Sequence, residues 1–562
     1  MKNKFSYFLI LMTLVGCGTG VNSSEEIIST SNNEANSTFV SNITPGLVDE
    51  DDYSDHTNTY DGKYFAHDEE IWYINELDKV PLPDPQVFVE DGVYYIVGTS
   101  DRSGCKVVDC YYTTDFVNFE HEYGIYNPNL YNGWEASNPV IYAPEMYCFD
   151  GVYYLYYSAE SDNGLRENSV VWADNPLGPY EPIVNDKVNG LKNALFKDNT
   201  SVLDATIFVD DDGSMYMYYA AVRAGEYIAG VKLKSPYEAD YSTRKELVIA
   251  GELSSNDHSN LLPWEAYRGG PIVEAPFMIK SPNGEYYLTY SVNGCWQKYY
   301  NVCYAVSDSP LGNFVKPYEE GKMWTNLLLG YPGTNDESST LFNQWSGFAS
   351  GTAHHCFFNI GDQIMIGYHA HQNRNYNAES TGFVKRYFAM DPLYFNEDGI
   401  PYCNGPTYSV QPLPEELSGF KNIALDASIR VENVENAIAL TDNYIVDCYN
   451  LESSDNEVQL GKGLSYVELT FDKEYEIGGL AVYNSAFYEK MVYEIKYVDF
   501  MNGNSFAYPE FCYKYYNEET EFVFPNSAFT FDFFKQIKTN KLVLCFDLPE
   551  EANINEIVVL GA

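Results

Sequence analysis

Positive charge is what this chain has least of. Lys and Arg total 33 against 81 Asp and Glu in 562 residues, a formal net charge of −48. A field of that sign repels phosphate backbones and anionic lipid headgroups, which argues against nucleic acid as a partner. The acidic residues are spread through aromatic-rich sequence, so they read as a solvated surface and not as a disordered tail. Zinc-type cysteine spacing is missing too, since none of the 11 cysteines forms a close CxxC pair. Those after Cys17 fit buried thiols or one or two disulfides, with Cys105–Cys110 and Cys295–Cys303 the pairs to test. Long apolar runs are also lacking. The stretch from Phe8 to Val15, after the basic Lys2 and Lys4, is too short to span a bilayer and has the dimensions of a signal-peptide apolar region.

That stretch ends in Leu14-Val15-Gly16-Cys17, which resembles the lipobox of bacterial lipoproteins. Residues 1–16 are then a signal peptide, and the mature chain starts at a lipidated Cys17, exported and membrane-anchored at the cell surface or periplasmic face. An ordinary secretory signal fits the same residues. Residues 17–55 are rich in Ser, Asn, Thr and Glu and read as a flexible spacer.

Beyond the spacer one pattern recurs: a turn with glycine, then paired aromatics in a short strand. The turn glycines are Gly92, Gly151, Gly213, Gly284 and, more weakly, Gly361, at intervals of 59, 62, 71 and 77 residues. Glycine supplies the positive φ of a tight hairpin, and aromatic or β-branched residues suit the strand that follows. Repetition at that interval predicts an all-β fold, a five-bladed β-propeller over residues 56–412. Gln411-Pro412-Leu413-Pro414-Glu415-Glu416 reads as a linker, spanning 413–419 once the propeller closes. A second unit at 420–562 has strand-like alternation in Val467-Glu468-Leu469-Thr470-Phe471 and is expected to be a β-sandwich of jelly-roll type, separable from the propeller.

Propellers carry functional side chains on the inner strands, so acidic residues just before each hairpin stand out. Asp84 lies in Pro83-Asp84-Pro85, Asp204 in Val202-Leu203-Asp204-Ala205 and Glu274 in Val273-Glu274-Ala275-Pro276-Phe277. Taken singly, each fits a turn, a strand-end cap or a salt-bridge partner. Their recurrence at one blade position points to a shared site, because a carboxylate among apolar residues is costly to bury unless paired or used. Glu145, in Ala143-Pro144-Glu145, is a rival, whereas Asp210, Asp211 and Asp212 belong to a solvated turn.

With these motifs in this order, residues 77 to 412 resemble glycoside hydrolase family 43. The resemblance implies that Asp84 is the general base, that Asp204 orients the acid and raises its pKa, and that Glu274 is the general acid. It makes Glu145 a structural carboxylate. Gly351-Thr352-Ala353-His354-His355-Cys356 resembles the family segment whose histidine faces the channel and helps hold a calcium ion. Here Ala353 and Cys356 replace the family's Gly and Ser, and one imidazole is a poor ligand for a hard cation, so a hydrogen-bonded channel histidine fits His354 equally. No other cofactor is implied. Arg386 matches the family's arginine that binds sugar hydroxyls, with a surface ion pair as the alternative. Trp134, Trp264, Trp296 and Trp345 fall in or near blade connections, where one or two could stack on a sugar and the rest be core. Trp134 is carried as a candidate substrate contact.

The resemblance implies an inverting, exo-acting hydrolase that removes terminal pentose, α-L-arabinofuranosyl first, from plant-type polysaccharide or oligosaccharide. A β-xylosidase and an exo-β-1,3-galactanase are the alternatives of the same fold. A catalytically silent glycan-binding lipoprotein is the alternative of another class. The second unit loosely resembles discoidin-type sugar-binding modules, and an inert sandwich that braces the propeller fits it as well.

Overall fold

The computed structural model describes most of residues 71–562, with the short strands Asn58–Tyr60 and Lys63–Phe65 ahead of them. Residues 1–57 lie outside the description, and so do 223–225, 251–258, 267–271, 331–350, 372–384, 446–455 and several shorter segments. The signal peptide, Cys17, the spacer and Trp345 are therefore outside the described residues. No described helix is long and apolar enough to cross a membrane.

Five four-stranded antiparallel sheets follow one another along the chain. Their inner strands are Gln86–Glu90, Ile141–Phe149, Ser201–Val209, Val273–Lys280 and Ala353–Ile360. The turn signals explain the hairpins. In blades 1 and 2 both turn residues have positive φ, Asp91 50° with Gly92 75° and Asp150 53° with Gly151 76°, the twist that favours Asp-Gly. Blades stack face to face, so a middle strand is covered on both sides: all of Tyr286–Val292 is buried. That is why aromatic and aliphatic residues run together along this strand.

One irregularity repeats around the ring. In blades 2 to 5 the register of the inner strand slips at Tyr142/Glu145, Leu203/Thr206, Glu274/Phe277 and Ala353/Cys356. The residue entering each slip has positive φ: Ala143 41°, Asp204 57°, Ala275 49° and His354 49°, with Asp84 at 56° in the same place in blade 1. A bulge kinks a strand and re-aims its side chains. The strained backbone is held by its amide. Ala143 N–H donates to Thr99 Oγ1 at 2.9 Å, Asp204 N–H to Ser158 Oγ at 3.0 Å, His354 N–H to Ser291 Oγ at 2.9 Å and Asp84 N–H to His369 Nδ1 at 3.1 Å. Each acceptor stands on the second strand of the preceding blade or, for Thr99, directly after it, so the clasps tie blade to blade and close blade 5 onto blade 1. Blade 3 breaks the rule: Ala220 occupies its acceptor position, opposite Leu203. The Ala275 N–H donates instead to Asp204 Oδ2 at 3.1 Å.

The C-terminal unit is a β-sandwich built on two long paired strands, Gly463–Asn484 and Ala528–Leu548. Register slips at Thr470/Tyr475 and Ile477/Gly479 divide the pair. Ser428–Val431 joins one half, and Ala552–Gly561 joins the other. Val467, Leu469, Leu480, Val482, Leu542 and Leu544 form its core. The likeness to discoidin-type modules goes no further than this sandwich architecture.

The terminal unit packs against the propeller. Ile71 and Trp72 share one core with Ala481, Tyr483, Ala528, Val558 and Leu560. Trp72–Tyr73 pairs with Gln411–Pro412, and Gln411 Oε1 accepts from Tyr483 Oη at 2.6 Å. The segment read as a linker is a helical turn, Glu415–Ser418, ended by Gly419 at φ 73°. Short polar linkers and short ordered connectors have the same composition, and only the shared core distinguishes them.

Candidate active site

Positive-φ kinks recurring on the inner strands bring three of the predicted carboxylates within electrostatic reach of one another. Asp84 and Asp204 sit on positive-φ residues, and Glu274 directly precedes one. Asp84 is the most heavily engaged. Its Oδ1 lies 2.8 Å from Arg386 Nη1, 3.3 Å from His354 Nδ1 and 3.4 Å from His369 Nδ1, and its Oδ2 accepts from Thr99 Oγ1 at 2.6 Å. Burial alone would raise this carboxyl, but the charge of Arg386, first among the contacts that oppose it, helps hold the pKa well below the usual range. His369 is a neutral ring that holds the backbone here: its Nδ1 accepts the Asp84 N–H, and burial pushes its pKa down to about 3. Arg386 is therefore the charge that keeps Asp84 ionised.

Glu274 has the opposite surroundings. Burial is the main cause of a pKa raised to about 7, and the charge on Asp84 adds to it, while a hydrogen bond from Tyr300 Oη to Oε1 at 2.8 Å opposes it. Asp204 is pushed well up too, by burial first and then by the charges of Glu274 and Asp84. What Asp204 does in the structure is accept the Ala275 N–H, beside Glu274.

The remaining candidates separate. Arg386 is no surface ion pair; its side chain is 16% exposed and bonded to Asp84. Trp134 is buried in a core cluster and stacked on Tyr157 at 6.1 Å, so its ring is taken up by packing and is not presented as an open platform. Trp264 is core as well, and Trp296 is 46% exposed. Glu145 lies past the bulge, bonded to Tyr147, and burial raises it to about 8. It belongs to the seam between blades 2 and 3, where Tyr147 also meets Thr206 at 3.1 Å. Asp210 is not a simple solvated turn residue, since Lys280 Nζ lies 3.0 Å from Oδ1 and Tyr286 Oη donates to Oδ2 at 2.8 Å. Cys105, Cys110, Cys295 and Cys303 carry thiols and form no disulfide.

The calcium ion of the resemblance meets a poor donor set. Such an ion takes six to eight oxygens, whereas His354 Nδ1 is turned toward Asp84 and no three His, Cys, Asp or Glu side chains converge as a metal site among the described residues. No step below passes through a metal. Residues that the sequence reading missed include His369 and Tyr300, which lie in no motif, and the clasp hydroxyls. The hydroxyls had a signal: Thr99, Ser158 and Ser291 each stand seven residues after the turn glycines Gly92, Gly151 and Gly284.

An ionised carboxylate fixed by an arginine, facing a buried carboxyl that holds its proton near neutrality at the end of a five-bladed propeller, defines a carboxylate-pair glycosidase site. The chain belongs to glycosyl hydrolases family 43, whose model matches residues 77–401. Among curated relatives, a β-D-galactofuranosidase of Aspergillus niger is 29% identical over 259 residues, 44% of this chain and 57% of that protein. A xylosidase/arabinosidase of Bacteroides ovatus is 26% identical over 265 residues, 42% of this chain and 76% of that protein. A solved thermostable family-43 glycoside hydrolase is 24% identical, with a TM-score of 0.46, over 61% of this chain and 99% of that one.

Proposed function

We propose that the protein is an inverting, exo-acting glycoside hydrolase that releases terminal pentose, α-L-arabinofuranosyl first and β-xylosyl next, from plant-type polysaccharide or oligosaccharide. Exo-β-1,3-galactanase activity is the further alternative. The observation that carries the reading is the contrast between two buried carboxyls: Asp84 lies 2.8 Å from Arg386, which favours its charged form, whereas Glu274 is bonded to Tyr300 Oη and raised by burial to about 7. Glu274 gives its proton to the glycosidic oxygen, and Asp84 takes one from a water on the opposite face of the sugar, which needs carboxyls roughly 6.5–9.5 Å apart. Arg386, His354 and Thr99 hold Asp84 in orientation, and Tyr300 holds Glu274. The intact carboxylates weigh against a silent glycan-binding protein.

The test is Glu274→Gln. Turnover of glycosides with poor leaving groups should fall by several orders of magnitude, and aryl glycosides whose leaving group needs no proton should suffer less. Proton NMR of the first sugar released should show inverted configuration; retention sinks the assignment. A panel of aryl arabinofuranosides, xylosides and galactosides fixes the sugar. A lipid anchor on Cys17, with the enzyme exported to a membrane face, completes the proposal.

A further inference from the structure

A second ring of positions surrounds the first. Two residues beyond each clasp, the residue in register at the start of the third strand occupies a repeated position. In blade 5 the pair is His371 with Arg386, which binds Asp84. In blade 4 the register Val292–Asn301 puts Tyr300 in this place, and Tyr300 binds Glu274. In blades 2 and 3 the same position holds Arg166, opposite Glu160, and Glu226, opposite Val222. Two members of the ring hold catalytic carboxyls; the other two have no such duty.

Arg166 and Glu226 lie on the Glu274 side of the site. Arg166 stands 5.7 Å over the Tyr142 ring, and among the described residues no carboxylate is within ion-pair distance of it. One oxygen of Glu226 accepts the Val273 N–H, while Oε2 is buried and has no partner among the described residues. A buried carboxyl oxygen left unpaired costs free energy unless a ligand completes it. Glu226 senses Glu274 and Arg166, and burial raises its pKa to about 8, so near neutrality it both donates and accepts hydrogen bonds.

We propose that Arg166 and Glu226 form the subsite for the leaving-group sugar, reading adjacent hydroxyls of a neutral glycan unit with a fork of guanidinium donors and a carboxyl. The proton donor contacts the glycosidic oxygen, so the unit beyond that oxygen lies on Glu274's flank, away from Asp84. A uronate would also suit Arg166, but a protein of net charge −48 repels acidic glycans. This assignment rests on the glycosidase reading above and deepens it.

The test compares two substrates of the sugar that the wild-type enzyme releases: its nitrophenyl glycoside, whose leaving group has no sugar hydroxyls, and its disaccharide. In Arg166→Ala and Glu226→Ala, kcat/KM for the disaccharide should fall by about ten- to a hundredfold more than for the nitrophenyl glycoside, the range for hydrogen bonds to charged groups. The inhibition constant of the free leaving sugar should rise in parallel. Glu226→Gln, which keeps a donor and an acceptor, should lie closer to wild type than Glu226→Ala. An equal fall on both substrates, or an unmoved inhibition constant, overturns the subsite. The Glu274→Gln result bears on the catalytic reading separately, so failure of one is not confused with failure of the other.

Discussion

Replacing Arg386 by Met should move the acidic limb of the pH–rate profile upward. The contact at stake is a single N–H···O⁻ bond of 2.8 Å between side chains 16% and 11% exposed, where solvent screens little. A hydrogen bond to a charged group contributes about 1.5–3 kcal/mol. One pKa unit is about 1.4 kcal/mol, so Asp84 should titrate roughly 1–2 units higher without its partner. The base must be ionised to take a proton from water, so the acidic limb of kcat/KM rises by that amount. The alkaline limb follows Glu274, whose pKa of about 7 is lowered by Arg386, so it should stay or move slightly up. The same link acts on stability. Asp84 has a depressed folded pKa, so its contribution is present above the unfolded carboxylate pKa and lost as pH falls through the folded value. In the Met variant that contribution should vanish, and the melting temperature at neutral pH should drop because a buried charge loses its counter-ion. Arg386→Lys restores charge without the fork and should recover part of the shift. The assay is hydrolysis of an aryl glycoside from pH 3 to 9, with melting curves alongside. An unmoved acidic limb beneath a uniformly lower rate would falsify the claim that Arg386 acts through Asp84.

Three further outcomes are expected. Ala220→Ser supplies the missing clasp hydroxyl, which competes with Asp204 for the Ala275 N–H; kcat should fall on the order of tenfold with little change in melting temperature, and a destabilised protein of normal kcat refutes the clasp argument. Ending the chain at residue 418 strips Ala481, Tyr483, Val558 and Leu560 from Ile71 and Trp72; burial of such side chains stabilises by about 1.5–3 kcal/mol each, so the fragment should aggregate or bind a hydrophobic dye, and a soluble, active one shows that no core is shared. Cys17→Ser should release the protein from the membrane or leave it unprocessed, whereas a wild-type chain without lipid mass on Cys17 ends the anchoring proposal.

Sequence alone determined the blades, because hairpins are local. Asp91-Gly92 and Asp150-Gly151 dictate tight turns, and the aromatic runs after them suit strands buried on both faces. It also singled out Asp84, Asp204 and Glu274, because a carboxylate among apolar residues conflicts with its surroundings and the conflict recurred at one blade position. What it could not decide was charge. The upward shifts of Asp204 and Glu274 depend on burial and on charges brought together from blades far apart in the chain. His369 and Tyr300 were invisible for the same reason: each is an ordinary strand residue until the ring closes and sets it against Asp84 or Glu274. Trp134 shows the limit from the other side, since an indole in a connection reads alike whether packing covers it or solvent does. The fold of the C-terminal unit was legible from alternation, but its union with the propeller was not. Residues 413–419 have a linker's composition, and only the core around Trp72 shows the two units packed together.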